Sequence, residues 1–425
     1  MTKILLVYPG KGVYFEQPPI GLLQLAGYTI QNGYDVTVRF RPLNEEYETI
    51  IDNYDIIGIS GTTQVIEDGY WCADLARSRG KFVVMGGPHV SALPEEAIKH
   101  CDAVVIGEGE KTFIDIIKER KKGIFNGDIL DNLDELPYIP WELINHEYFF
   151  DVNKRNPISM STFIPSNEKV SYIISSRGCP FRCKFCYNSK RTSQIRYQSV
   201  DRVINEILYT IDKYKINNFV FLEDNFISNK NRAIEFCNKI IANGIDIIFG
   251  INARVDNIDE SIIRILNSAG CLQIAFGLES VEQSILDYYN KNINVDQMIK
   301  AISLCNKNGI ISQGSFIIGH KDSIYTLKKM QYFICDNPLD GGIGICYLTP
   351  FPGSMIYDEL KESQNFNWNN LKYDNITIPF ESRKNQIVEI AEFTRHLAMY
   401  LVIGREYSRI MKFNRLKKLK EIYKK

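Results

Sequence analysis

Short β-branched runs alternating with helical stretches, in two series separated by one break, constrain this chain more than any other feature. In residues 1–125 the runs Lys3–Tyr8, Asp35–Phe40, Asp55–Ser60, Phe82–Gly87 and Ala103–Gly107 read as strands. The stretches Ile20–Asn32, Glu45–Asn53, Val65–Ser78, Glu95–His100 and Glu110–Lys121 read as helices between them. Strands joined through helices pair in parallel and are covered on both faces, so this segment is expected to be a doubly wound parallel sheet. Ligands of such sheets bind beyond the carboxyl ends of the strands, where Gly61, Gly86-Gly87-Pro88 and Gly107-Glu108-Gly109 fall. Glycine after a strand is also ordinary turn chemistry, so these loops alone do not name a ligand.

Residues 126–170 break the alternation with Pro137, Pro140, Pro157 and Pro165, which predicts an interdomain linker. The pattern resumes with Tyr172–Ser176, Phe219–Glu223, Ile247–Ile251, Gln273–Gly277, Ser312–Ile318 and Gly344–Leu348, predicting a second α/β domain over 171–362 that closes partway into a barrel. Reactive groups of parallel barrels gather where the strands stop. The polar residues there are Glu223-Asp224-Asn225, Asn252 and Arg254, Glu279-Ser280, His320 and Thr349. Asp224-Asn225 and Ser280 precede helices and could equally be caps. Residues 363–425 read as a helical region, ending in Arg405–Lys425 with nine Lys/Arg against Glu406 and Glu421, a pattern that most often marks a solvated helical end.

The first strand of the second series runs into Cys179-Pro180-Phe181-Arg182-Cys183-Lys184-Phe185-Cys186. Thiolates select zinc and iron–sulfur clusters over hard cations. A structural zinc site or an electron-transfer cluster uses four ligands, and no fourth Cys or His follows closely; the next cysteine, Cys237, lies in a helical pattern. Cys179, Cys183 and Cys186 therefore suit a [4Fe–4S] cluster with one iron left open. Of the 10 cysteines, Cys72, Cys101, Cys237, Cys271, Cys305, Cys335 and Cys346 are scattered singly in apolar segments and read as reduced core thiols. Lys+Arg 50 against Asp+Glu 51 points to no polyanionic partner. The amino terminus enters a strand directly and no apolar run reaches membrane-spanning length, so a cytoplasmic protein is expected.

The cysteine run, with Phe185 just before the third cysteine, resembles the signature of the radical S-adenosylmethionine (SAM) superfamily. The resemblance implies a partial (β/α)6 barrel, SAM chelated at the open iron, and one-electron cleavage of SAM to a 5′-deoxyadenosyl radical. It further implies Glu223 and Asp224 at the SAM amino group, Arg254 at its carboxylate, Glu279 and Ser280 at ribose and methionine, and Phe185 beside adenine. Gly314–Gly319 resembles the family's glycine-containing fifth strand. The family often continues it with a Pro-Gly-Glu-Thr-like turn, whereas this chain has His320-Lys321-Asp322-Ser323.

The first domain resembles the flavodoxin-like cobalamin-binding domain fused ahead of such barrels, through Pro18–Ala26, Gly86-Gly87-Pro88-His89 and Gly107-Glu108-Gly109-Glu110. That implies cobalamin near Gly86, Gly87, Gly107 and Gly109. The loop Pro9–Gln17 lacks the axial histidine of many cobalamin proteins, leaving His89 as a loop histidine expected to make an ordinary hydrogen bond. The expected function is a cobalamin-dependent radical SAM methyltransferase acting on an unactivated carbon of a small molecule, with a reductant such as flavodoxin or ferredoxin. The same layout also resembles ring-forming, ring-contracting and rearranging enzymes, with or without cobalamin. A non-enzymatic iron–sulfur redox sensor is the other reading, and tRNA methylthiotransferases are disfavoured because only Cys72 and Cys101 precede Cys179.

Overall fold

The computed structural model describes residues 2–10, 18–41, 44–151, 168–190, 194–364, 366–374, 376–377 and 384–404. Most of the loop Pro9–Gln17, the prolines at 157 and 165, and the basic tail 405–425 lie outside the described residues. Among the described residues no helix is long and apolar enough to cross a membrane.

The chain forms two units. The first carries six parallel strands, β1 Lys3–Tyr8, β2 Asp35–Phe40, β3 Ile56–Ser60, β4 Phe82–Gly86, β5 Ala103–Ile106 and β6 Gly123–Asn126, in the order β2-β1-β3-β4-β5-β6. Ile4 to Val7 are wholly buried, which is why β1 is a continuous apolar run rather than an alternating one. The order reverses between β1 and β3, the place in such sheets where ligands bind, and Gly61 directly follows β3 there. β6 has no counterpart in the sequence pattern, because this four-residue edge strand is only half-buried and follows two lysines. The helix expected over Glu95–His100 is the single turn Pro94–Ala97, started by its proline.

The first unit continues to Tyr148, past the boundary placed at 125, and also takes in Phe185–Lys190 and Pro350–Asn375. Leu130, Leu133 and Leu136 pack against Tyr28, and Pro137 and Pro140 lie on the helix Ile20–Gln31 at Gly27. A Cβ on Gly27 would stand 2.9 Å from Pro137 Cγ, so the proline-rich stretch is seated by the absence of a side chain beneath it.

In the second unit β7 Ser171–Ile173 leads into a two-stranded antiparallel ladder, β8 Ser176–Arg177 with β9 Arg196–Tyr197. Then come β10 Asn218–Phe221, β11 Ile248–Ala253, β12 Cys271–Glu279, β13 Ile311–Ile318 and β14 Gly342–Tyr347. The sheet runs β14-β13-β12-β11-β10-β7, all parallel, with strands that follow one another in the chain lying side by side, as in an open (β/α)6 barrel. Phe221, Phe226, Phe236 and Phe249 fill one end of its core with edge-to-face ring pairs, Phe221 and Phe226 at 4.9 Å between centroids. Cys72, Cys101, Cys237, Cys271 and Cys305 are buried free thiols, and burial pushes Cys237 up to about 12. The expectation of core thiols fails for Cys335, which faces solvent on the helix Ile324–Asp336, and for half-buried Cys346. An apolar helical pattern does not tell which face its cysteine occupies.

Candidate functional site

The cysteine loop leaves the barrel above β7. Gly178, at φ +99°, begins it, and a Cβ there would stand 2.7 Å from the Gln194 carbonyl oxygen, so only glycine closes the loop's base. The thiols of Cys179 and Cys183 belong to the second unit. Burial pushes Cys183 above the ordinary thiol range; Lys291 and Arg254 pull it down and Glu279 pushes it further up. Burial also raises Cys179, opposed by the backbone at Phe181 and by Arg254, and reinforced by Asp224 and Cys183.

Arg254, at the end of β11, is buried beside this loop. Its Nε and Nη2 each donate at 3.0 Å to the two carboxylate oxygens of Asp256, and Nη2 also donates to the Lys291 carbonyl at 2.7 Å. The guanidinium lies 3.7 Å from the Phe181 ring centroid, and Nη1 stands 3.9 Å from Cys183 Sγ. Arg254 thus touches the cysteine loop at Phe181 and Cys183, while its hydrogen bonds go to Asp256 and the Lys291 carbonyl.

Glu223 at the end of β10 is equally committed. Its Oε1 accepts from the backbone N–H and the hydroxyl of Ser175, and its Oε2 accepts from Ser176 Oγ at 2.9 Å. Asn252 Nδ2 donates to its carbonyl at 2.9 Å. The adjacent Asp224 is exposed, and its charge acts on Cys179.

At the end of β12 the register slips between Gly277 and Glu279, and Glu279 sits at φ +66°. A non-glycine residue in the left-handed region costs on the order of 1 kcal/mol and marks sites where backbone strain is held by surrounding contacts. The contact here is Lys291 Nζ, which donates to Glu279 Oε1 at 2.9 Å, with both side chains buried. A Cβ on Gly277 would lie 2.4 Å from Glu279 Oε1 and 2.9 Å from Lys291 Nζ, so Gly277 makes room for the ion pair. Ser280 is buried, and its Oγ accepts from the Glu282 N–H at 3.2 Å. Lys291 was not singled out from sequence; its signal is its place between Asn290 and Asn292, a residue type that tolerates left-handed backbone.

The departing turn after β13 is held internally. Asp322 accepts from the Gly319 N–H at 2.8 Å and from Thr326 Oγ1 at 2.8 Å, and Ser323 caps the next helix in a reciprocal box with Thr326.

Cys186 and half-buried Phe185 group with the first unit. There the Asn188 N–H reaches Cys186 Sγ at 3.4 Å, Ser189 Oγ accepts from Met355 N–H at 3.2 Å, and Lys190 pairs with Asp358. Three free thiols within eight consecutive residues, one of them faced by an arginine N–H, fit an iron–sulfur cluster, whose thiolate ligands carry charge that such donors stabilise. Among the described residues no three His, Cys, Asp or Glu close on a single ion. A cubane spreads its thiolates over separate irons.

On the first unit's sheet, Gly87 at φ +96° lets β4 turn sharply against Ser60 and Gly61, and the Gly107 N–H donates to Ser91 Oγ at 2.9 Å. Gly61, Gly86 and Gly109 differ from these. Added Cβ atoms there would meet nothing closer than 3.6, 3.7 and 3.8 Å, so packing does not require glycine at these three places, which lie where ligands of such sheets bind. His89 is buried, with Nδ1 3.0 Å from Thr63 Oγ1 and Nε2 3.4 Å from Glu96 Oε1, so both ring nitrogens have protein partners. Burial holds it below the usual histidine range, against the pull of Glu96. The same Glu96 oxygen accepts from Tyr70 OH at 2.8 Å and from Trp368 Nε1 at 3.0 Å.

Residues 173–328 match the Radical SAM superfamily, and residues 10–117 match the B12 binding domain. The chain is 32% identical to the "uncharacterized methyltransferase PH0819" of Pyrococcus horikoshii, over 84% of this chain and 83% of that protein. It is 29% identical to the bacteriochlorophyllide d C-8(2)-methyltransferase of Chlorobaculum tepidum over 73% and 69%. It is 25% identical to the anaerobic magnesium-protoporphyrin IX monomethyl ester cyclase of Rubrivivax gelatinosus over 84% and 70%. In fold it is similar to the radical SAM methyltransferase TsrM of Kitasatospora setae, with TM-score 0.66, 14% identity, and 85% and 75% of the chains covered. It is similar also to the cobalamin-dependent SAM radical enzyme OxsB, with TM-score 0.69, 17% identity, and 97% and 72% covered. The chain belongs to the radical SAM superfamily, in the branch that joins a B12 binding domain to the radical SAM domain. It is accordingly an enzyme whose cofactors are a [4Fe–4S] cluster, SAM and cobalamin.

Proposed function

We propose that this enzyme transfers a methyl group to an unactivated carbon of a small biosynthetic intermediate. The observation that carries this reading is the alignment, along most of the chain, with a relative named as a methyltransferase, supported by the bacteriochlorophyllide methyltransferase. When bound, the cluster supplies the electron that cleaves SAM, and cobalamin supplies a methyl carrier.

In this reading Cys179, Cys183 and Cys186 hold the cluster and leave one iron for SAM. Exposed Asp224 meets the SAM ammonium, while Glu223, fastened by Ser175 and Ser176, fixes the strand end that presents it. Glu279 and Ser280 face ribose and methionine, and Phe185 lies beside adenine. Arg254 holds the cysteine loop, and its guanidinium adds positive charge near the SAM carboxylate. Gly86, Gly87, Gly107 and Gly109 bear the corrin, with His89 retained by Thr63 and Glu96 instead of serving as an axial ligand. A one-electron donor of the flavodoxin or ferredoxin class completes the system.

The cyclase relative supports a second reading, ring formation without methyl transfer. Anaerobic incubation with methyl-labelled SAM, cobalamin, a low-potential reductant and a host metabolite extract separates the two. Label in a new carbon-bound methyl group supports methyl transfer. Formation of 5′-deoxyadenosine with an unlabelled altered metabolite contradicts it.

A further inference from the structure

The turn between the helices Gln283–Tyr288 and Val295–Lys307 bonds the cysteine loop at successive residues. The Lys184 N–H donates to the Tyr289 carbonyl at 2.9 Å, and Asn290 Nδ2 donates to the Arg182 carbonyl at 2.9 Å. The Lys184 ammonium stands 4.7 Å from the Tyr288 ring centroid. Asn290 and Asn292 take φ +52° and +53°, which wraps the backbone around Lys291. The Lys291 carbonyl accepts from the arginine that faces Cys183, and its ammonium is fixed on Glu279 in the cavity left by Gly277.

We propose that Lys291 is a positioning residue that sets the reduction potential of the cluster: the Tyr288–Asn292 turn clasps the backbone at Arg182 and Lys184, on either side of Cys183, and this turn carries the buried Lys291 ammonium, held by Glu279. The proposal rests on the reading that the cysteine loop holds a [4Fe–4S] cluster. Taking up one electron makes the cluster more negative, so a nearby cation favours the reduced form, and burial keeps that effect from being screened. Removing Lys291 therefore lowers the potential, and removing the Glu279 charge raises it. A pair that only braced the loop would not give opposite signs.

The test is an EPR-monitored potentiometric titration of the reconstituted full-length protein, without substrate, on wild type, Lys291→Met, Lys291→Arg and Glu279→Gln. The expected result is about a tenfold change in the reduced-to-oxidised ratio in each direction, about 59 mV for a one-electron couple. Lys291→Met moves down, Glu279→Gln moves up, and Lys291→Arg stays near wild type. Potentials that do not move, or that move the same way in both charge variants, overturn the proposal. Should Lys291→Met hold no cluster, Glu279→Gln decides by itself, since an unchanged or lowered potential refutes the electrostatic role. A wild type that binds no cluster at all would instead refute the underlying reading of the cysteine loop.

Discussion

Asp322 and Arg254 show how much of this site is spent on holding itself together. Burial pushes Asp322 up to about 6, against the hydrogen bonds from Gly319 and Thr326, with the charge on Glu282 adding to the rise. A carboxyl whose folded value lies above its unfolded one contributes stability that is complete below the unfolded value, near 3.8, and is lost as pH rises through about 6. The loss is on the order of 2–3 kcal/mol. Asp322→Asn keeps an acceptor oxygen for the Gly319 N–H, can donate from Nδ2 to Thr326 Oγ1, whose hydroxyl also reaches the Ser323 carbonyl, and does not ionise, so its stability relative to wild type is expected to grow between about pH 4 and pH 7. Urea unfolding at both ends of that range checks this, and parallel pH profiles would contradict it. Arg254→Lys keeps a charge but loses the paired bonds to Asp256 and the planar stacking on Phe181. Charge-assisted bonds are worth about 1.5–3 kcal/mol, so iron should leave the variant for a chelator about tenfold faster or more. Equal rates would separate Arg254 from the cysteine loop.

At the scale of elements, the end of β12 carries the sharpest prediction. Gly277→Ala drives a methyl group into the Glu279–Lys291 pair and should cost about 1–3 kcal/mol. Gly344→Ala, whose added carbon would meet Ser315 Cβ at an ordinary 3.8 Å, is the control and should be nearly neutral. Denaturant midpoints of the two variants test the contrast. The strands were readable because a buried parallel strand writes itself as an apolar run, and β1, β2 and β13 fall within a residue of their expected bounds. The cysteine loop was readable because its ligands are close in sequence. The Tyr288–Asn292 turn was not, since one of its bonds joins two backbone groups, the other runs from an asparagine side chain to a backbone carbonyl, and both reach residues more than a hundred positions away. Glu223 and Arg254 were found as polar residues at strand ends, but only the folded chain supplies the serines and the carbonyl that occupy them.

For the molecule as a whole, domain boundaries drawn at 125, 170 and 362 could not express a chain that leaves the first unit and returns to it at 350–375. Such a return depends on tertiary contacts, chiefly Trp368, which donates to Glu96 and packs edge-on to His89 at 5.1 Å. Trp368→Ala should destabilise the first unit by about 1–3 kcal/mol and speed amide exchange over 82–97, read by mass spectrometry. Unchanged exchange there would deny the segment its structural part. The central claim, a [4Fe–4S] cluster on Cys179, Cys183 and Cys186 with one iron open to SAM, is tested most directly by EPR of the reduced protein before and after SAM is added. The account predicts a cluster signal that changes when SAM binds, together with 5′-deoxyadenosine formation, and loss of both when the three cysteines are replaced by alanine. A signal indifferent to SAM, or one that survives in the triple variant, would contradict it.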